Sequence, residues 1–260
     1  MTARPAARAS GGDHGVVKSW TASGVVVAAA LVAGCSAVPV ALSPSTGAAA
    51  TSQAASPVAS QAPPAGGSGA PVADVLARLA VKGRAPQTGY SRDRFGAGWD
   101  DADRDGCSTR EEILRRDLRN VTDGRSGRCA VVATGVLHDP YSGRTIAFRR
   151  GNATSEAVQI DHVVALDDAW QKGAQQWTPQ RREAFANDPL NLLAVDGPLN
   201  QSKGAGDAAT WLPPATGYRC SYVARQVAVK ARYGLWVTAA ERDAVRRILT
   251  ACPGQRVPTA

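Results

Sequence analysis

Several ingredients are scarce in this 260-residue chain. It holds one Met and three His, and aromatic residues make up 5% of it, six of them Trp. No run of 18 strongly apolar residues occurs, which excludes a polytopic α-helical membrane protein. Of its five Cys (Cys35, Cys107, Cys129, Cys220 and Cys252) no two stand as Cys-x-x-Cys, the spacing that structural zinc sites favour. From Ser36 to Pro71 there is no charged residue at all. Acid is scarcer than base, 22 Asp and Glu against 30 Lys and Arg, for a formal net charge of +8. That balance suits a polyanionic substrate or an anionic surface and does not choose between them. What is plentiful is apolar: 44% hydrophobic residues beside 20% charged ones suffice for one core and exclude a wholly disordered chain.

The N-terminus reads as an address. Arg4, Arg8 and Lys18 precede a weakly apolar stretch from Thr21 to Gly34, too short to span a bilayer and of the kind that directs export. It ends in Val32-Ala33-Gly34-Cys35, which resembles the lipobox of bacterial lipoproteins. That resemblance implies cleavage before Cys35, acylation of its thiol, and anchoring at the extracellular face of the cell membrane. An ordinary cleaved signal, giving a secreted protein, and an uncleaved anchor are the other two readings. Losing residues 1–34, whose only acid is Asp13, lowers the net charge from +8 to +6. Residues 35–71 are an Ala/Ser/Pro-rich tether that cannot bury a core; as a flexible coil it spans about 33 Å on average. The folded domain is then 72–260.

Within it, Val72–Ala80 has the pattern of a short amphipathic helix. Ser108 and Thr109, with Glu111 and Glu112, fit a capping box that opens a helix with Leu114, Leu118 and Val121 as its apolar stripe. Cys129–Leu137 and Arg144–Phe148 read as strands joined by the turn Asp139–Gly143, and Glu156–Leu166 as a further strand. Helical pieces follow at Asp167–Gly173 and Pro179–Ala186. Cys220–Tyr233, stopped by Gly234, and a helix opened by Thr238-x-x-Glu241 with Val245, Leu249 and Cys252 on one face make an antiparallel hairpin. Four Cys in an exported domain read as two disulfides with three possible pairings. The hairpin brings Cys220 to Cys252, a bond contributing about 3 kcal/mol, which leaves Cys107 to Cys129.

The chemistry gathers around Asp161-His162, in the apolar run Ile160–Val164. Asn191-Leu192-Leu193 follows, with Asn191 29 residues beyond His162, and then come Asn200 and Lys203. A strand bearing Asp-His, a second strand entered through Asn-Leu and a helix starting at Asn200 would fold as a β-hairpin packed on a helix. Asp161 and Asn200 could then share a divalent cation through oxygen, as hard ions prefer, with His162 opposite and able to take a proton from water near neutral pH. Together with Cys107–Arg110, Asp139-Pro140-Tyr141, Asp167–Trp170, Phe185–Asp188 and Trp211-Leu212-Pro213, these residues resemble the HNH (ββα-metal) endonuclease family. The likeness is to the C-terminal HNH domain of GmrSD-type restriction endonucleases and its secreted bacterial relatives, over roughly residues 99–252.

That resemblance implies an α+β domain, mostly helical and disulfide-stabilised, built around a ββα-metal centre. It implies Asp161 and Asn200 as metal ligands, His162 as general base, Asn191 as the brace that orients the His through a hydrogen bond, and Lys203 as a point charge for phosphate. The cofactor would be Mg²⁺ first and Mn²⁺ second. The reaction would be hydrolysis of phosphodiester bonds, in DNA rather than RNA, with low sequence specificity. The chain departs from the family pattern at Leu199, where a Cys often precedes the Asn, and at Ala165, where a Pro often follows the His. An RNase or other phosphodiesterase on the same centre, and a non-catalytic nucleic-acid-binding envelope lipoprotein, are the alternatives.

A second pattern is independent of that likeness. Asp101-x-Asp103-x-Asp105-Gly106, with Glu112 closing it, matches the oxygen spacing of an EF-hand loop and admits a structural Ca²⁺. It equally admits an acidic turn paired with Arg104, Arg110 or Arg115, since the Gly-rich Arg94–Trp99 segment is no entering helix. Trp170, Trp177, Trp211 and Trp236 read as packing residues, and His138 as a surface loop residue.

Overall fold

The computed structural model describes residues 69–259, except 102–103, 125–126, 128 and 152–153. The leader, Cys35, nearly all of the tether, and Asp103 lie outside the described residues. Gly69–Pro71, at the tether's end, are already pinned to the far terminus. Val257 N donates to the Ala70 carbonyl and Val72 N to the Gln255 carbonyl, both at 3.0 Å.

Helix α1 (Val72–Arg78) lays Val72, Val75 and Leu76 into the core, the i, i+3, i+4 spacing that one helical face requires. Helix α2 (Thr109–Asp117) starts at Ser108, but the Ser108 hydroxyl makes no cap bond. Glu111 turns inward instead, accepting from Val132 N at 2.8 Å and pairing with Arg150. The expected apolar stripe is cut short. Leu118 and Val121 belong to strand β1 (Leu118–Asp123), because the chain gains a ladder, interrupted by two register shifts, against β2 (Val132–His138). Asn120, at φ 51°, absorbs the register shift between Arg119 and Thr122, a bulge at a residue type that tolerates the left-handed region. Strand β3 (Thr145–Arg149) completes the antiparallel sheet β1-β2-β3, joined to β2 by the expected turn. Gly135 permits a close approach there: a Cβ would lie 3.0 Å from the Leu118 side chain, which would have to shift.

A second, two-stranded sheet forms the centre of the domain. Strand β4 (Val158–His162) is shorter than the expected 156–166 and pairs antiparallel with β5 (Leu192–Asp196), Asp161 opposite Leu193 and His162 opposite Leu192. Every residue of β5 is buried, since both faces are covered. Leu192 and Ala194 pack with α2 and the three-stranded sheet, while Leu193 and Val195 face α1 and the helices α6 (Arg219–Tyr233) and α7 (Ala239–Leu249). Between the two strands run α3 (Leu166–Trp170) and α4 (Pro179–Ala186), which with Phe95, Leu235 and Val229 bury a third, aromatic cluster.

Helix α5 (Gly197–Lys203) follows β5 without a loop. It begins three residues before the expected Asn200, because Asp196 accepts from Leu199 N at 3.0 Å and caps it. Gly197 lets the helix start against the chain entering β4: a Cβ there would stand 1.9 Å from the Glu156 carbonyl oxygen. The order strand, strand, helix is the one the sequence suggested. Helix α6 ends at Gly234, φ 67°, and Thr238 caps α7 through Glu241 N. Both disulfides, Cys107–Cys129 and Cys220–Cys252, are present as expected. With five strands among the described residues, the domain is α+β and less helical than expected.

Under α3, α6 and α7 lies a cluster of six charges. Lys172, fully buried, reaches Asp168 (2.6 Å), Asp207 (2.8 Å) and Glu241 (2.6 Å). Lys230 reaches Asp168 (2.9 Å) and Glu241 (2.7 Å), and Arg84 closes the group on Asp168 (3.0 Å) and Asp207 (2.6 Å). Burial would raise the Asp168 carboxyl, but Lys230 and Lys172 outweigh it and hold it at about 2. Three positive and three negative side chains balance.

Candidate active site

Alternation along β4 decides which side chains meet α5. Gln159 and Asp161 point to one face, and on α5 Asn200 and Lys203, three apart, share a face. The two pairs meet: Asn200 Nδ2 donates to Gln159 Oε1 at 2.9 Å, and Lys203 Nζ donates to Asp161 Oδ1 at 2.9 Å. Lys203 also donates to the His162 carbonyl at 2.9 Å and is buried. It was expected to meet a phosphate; its ammonium is instead engaged inside the domain, where no other group neutralises Asp161. The second carboxylate oxygen, Oδ2, accepts from the Tyr141 hydroxyl at 2.6 Å. Burial raises the Asp161 carboxyl, with Lys203 and Tyr141 pulling the other way. Burial and the charge of Asp161 push the Tyr141 hydroxyl well up, so it stays a donor.

His162, at the end of β4, is buried. Its Nε2 lies 2.9 Å from the Ala186 carbonyl at the end of α4. A carbonyl only accepts, so Nε2 carries the proton and Nδ1 keeps the lone pair. Trp99 stacks on the imidazole, 5.8 Å between centroids and 6° between planes. Burial first, then the charge of Arg92, push the imidazole down to about 3, and it stays neutral through the ordinary pH range. Asn191 does not orient the ring, as was expected. It is fully buried and braces the backbone just beyond it: its Oδ1 accepts from Val164 N (2.8 Å), its Nδ2 donates to the Val164 carbonyl (3.3 Å), and its own carbonyl accepts from Val163 N (2.8 Å).

Asp161, His162 and Asn200 line one cleft of about 540 Å³. Asn200 Oδ1 has no hydrogen bond among the described residues and Asp161 is a carboxylate, so the cleft offers two hard oxygen donors. That set fits a cation such as Mg²⁺, which takes one or two protein oxygens and leaves its other positions to water and phosphate. The remaining walls bring in Arg92 and Trp99, which the sequence did not single out for the site, and Arg110, which it offered only within Cys107–Arg110 and as a partner of the acidic turn. Arg92 sits on a 3-10 turn (Arg92–Phe95), Arg110 is the second residue of α2, and Trp99 comes from the segment before it. No local pattern marks them, because packing alone carries their elements to β4. Tyr141 was legible as a turn residue but not as the partner of Asp161.

Asp101, Asp105 and Glu112 do not line the cleft, although Trp99 and Arg110 on either side of that loop do. Asp101 Oδ2 accepts from Gly106 N at 3.0 Å and Asp105 Oδ1 from Cys107 N at 2.6 Å, while Asp103 lies outside the described residues. Among the described residues no group of three or more His, Cys, Asp or Glu is arranged to hold a metal ion.

Residues 108–248 match the family described as GmrSD restriction endonucleases, C-terminal domain. An uncharacterized secreted protein of Arthroderma benhamiae is 42% identical over 180 residues, spanning 68% of this chain and 83% of that protein. No solved structure matches the chain. Asp161, His162, Asn191 and Asn200 lie inside the matched span; Arg92 and Trp99 precede it.

Proposed function

The chain belongs to the family of GmrSD restriction endonuclease C-terminal domains, and from that premise we propose that it is an exported, metal-dependent endonuclease hydrolysing phosphodiester bonds of DNA with little sequence preference. The observation that carries the reading is the convergence of Asp161, Asn200 and a His162 whose Nδ1 lone pair is set free by the Nε2 bond to Ala186, all on one cleft.

In this reading His162 Nδ1, unprotonated at ordinary pH, takes a proton from the attacking water as its oxygen bonds to phosphorus, the negative charge of the bound phosphate raising the basicity that burial and Arg92 lower in the free protein. The bond from phosphorus to the departing sugar oxygen breaks, and that oxygen takes a proton from solvent. Asp161 and Asn200 would hold a divalent cation, Mg²⁺ before Mn²⁺, which would supply positive charge to the reacting phosphate. Lys203 and Tyr141 keep the Asp161 carboxylate fixed. Asn191 keeps the backbone after His162 in register with β5. The Ala186 carbonyl and Trp99 hold the imidazole plane.

The purified, oxidised protein should nick plasmid DNA with Mg²⁺ or Mn²⁺, lose that activity in chelator, and fall about 10²–10⁴-fold on His162→Ala. Cleavage that survives His162→Ala unchanged removes His162 as the base. Cleavage of RNA and not DNA transfers the same centre to the other substrate. Export is supported by the secreted relative and by the leader, and anchoring by Cys35. Cys35→Ser should move the protein from the membrane fraction to the medium; an unchanged distribution rules out the lipid anchor.

A further inference from the structure

We propose that Arg92 and Arg110 form a pair of guanidinium contacts that grip backbone phosphates of the strand in the cleft. The inference rests on the nuclease reading above and adds the residues that recognise the strand.

Both side chains line the cleft that holds Asp161, His162 and Asn200. Among the described residues neither makes a side-chain hydrogen bond or an ion pair. Arg84, Arg144, Arg150 and Arg232 each sit within 3.0 Å of a carboxylate, whereas Arg119, Arg149 and Arg247, also without an ion pair among the described residues, are exposed and do not line the cleft. The carboxylates of the cleft are already engaged. Asp161 is held by Lys203 and Tyr141, and Asp167 accepts from the amides of Gln87 and Gln171. Asp161 is neutralised by Lys203, and the amide partners of Asp167 leave its charge in place, so with Arg92 and Arg110 the group carries a net charge of one positive, with neither arginine in an ion pair.

Arg110 is also half-buried, where an unpaired charge is costly. Burial, and then the nearby charge of Arg150, push its guanidinium down from the ordinary value. An anion is what such a group lacks. The planar fork of a guanidinium matches two phosphate oxygens at once, which an ammonium does not. Lys203, the lysine that the motif spacing offers for phosphate, is enclosed and bound to Asp161. Arg92 also lies outside the span that matches the family, so nothing in that match assigns it.

The test is binding without turnover. A fluorescein-labelled DNA duplex is titrated with the full oxidised protein in chelator, across a salt series, and read by anisotropy. Arg92→Gln and Arg110→Gln should each weaken binding about tenfold, the loss of one charge-assisted contact. Each should also reduce the slope of log K against log salt by about 1. Arg110→Lys should keep the slope and recover only part of the affinity, because the charge remains and the fork does not. Arg247→Gln, an exposed arginine of α7 outside the cleft, should change binding less than twofold. Unchanged melting temperatures establish that the variants are folded. If the wild type binds and all variants match it, or Arg247→Gln weakens binding as much as the cleft substitutions, the arginine pair is overturned while the nuclease reading stands. If the wild type binds no nucleic acid, both fall.

Discussion

Two charge clusters in this domain are built on opposite plans. The interior group of Lys172, Lys230, Arg84, Asp168, Asp207 and Glu241 is closed: every charge faces an opposite one within 3.0 Å, and the positive and negative side chains are equal in number. The cleft group is left open. Asp161 is matched by Lys203, but Arg92 and Arg110 have no partner among the described residues. A closed group fixes the packing of α3, α6 and α7 and has no capacity left for a ligand. An open group keeps a net field pointed into solvent-accessible space, where an anion completes it. Burial alone does not separate the two kinds, since Lys172 and Lys203 are equally enclosed; the balance of charge does.

The sharpest way to break the contrast is to open the closed cluster. Lys230→Met leaves three carboxylates facing two cations in the interior, and should cost about 3–5 kcal/mol of stability by urea denaturation. A loss under 1 kcal/mol would mean that water or rearrangement already compensates the group. Next come the disulfides, one in each region. Breaking Cys220–Cys252 with a double Ser substitution should cost about 3 kcal/mol while the folded fraction cleaves at the wild-type rate. Breaking Cys107–Cys129, which ties the segment between Trp99 and Arg110, should cost a similar amount and also slow cleavage. Equal specific activity in the two variants would detach that segment from the site.

The effect most spread out over conditions is in acid, and its sign follows from the two sets of shifts. His162 is pushed down to about 3, so the unfolded chain takes a proton near pH 6.5 that the folded protein refuses. Stability therefore falls as pH drops from 6.5 toward 3, by at most about 1.4 kcal/mol per unit. Asp168 is held at about 2, so the closed cluster contributes fully above about pH 4 and is lost only below it. Denaturation in chelator should show a decline beginning near pH 6 in the wild type and near pH 4 in His162→Gln. Superimposed curves would place the acid sensitivity elsewhere.

What was legible in the sequence was local. Helix α4, the hairpin of β2 and β3, and the α6–α7 pair with its disulfide follow from caps, turns and periodicity within a dozen residues. The spacing of Leu114, Leu118 and Val121 misled because it satisfies a helix. The ladder that claims Leu118 and Val121 lies in β2, more than ten residues on, and its strength is invisible from the window. The chemistry followed the same rule. Asp161, His162 and Asn200 carry a spacing that one hairpin and one helix can close. Tyr141, Trp99, Arg92 and Arg110 arrive from elements placed by the aromatic and sheet-side clusters, and no interval in the chain encodes their approach. Glu241 was legible as a cap residue and hid its second role as counter-charge to two lysines.

The tie between Cys107 and Cys129 also has a bearing on timing. Thiols stay reduced in an ordinary cytosol and oxidise once a chain has left it. A newly made molecule thus carries Asp161, His162 and Asn200 on a single hairpin and helix, but the covalent stitch beside Trp99 and Arg110 comes only after departure. On the function proposed above, this would postpone full competence until the producer's own chromosome is out of reach. The reduced, metal-loaded protein should then cleave more slowly than the oxidised one; equal rates would leave the stitch a matter of durability alone.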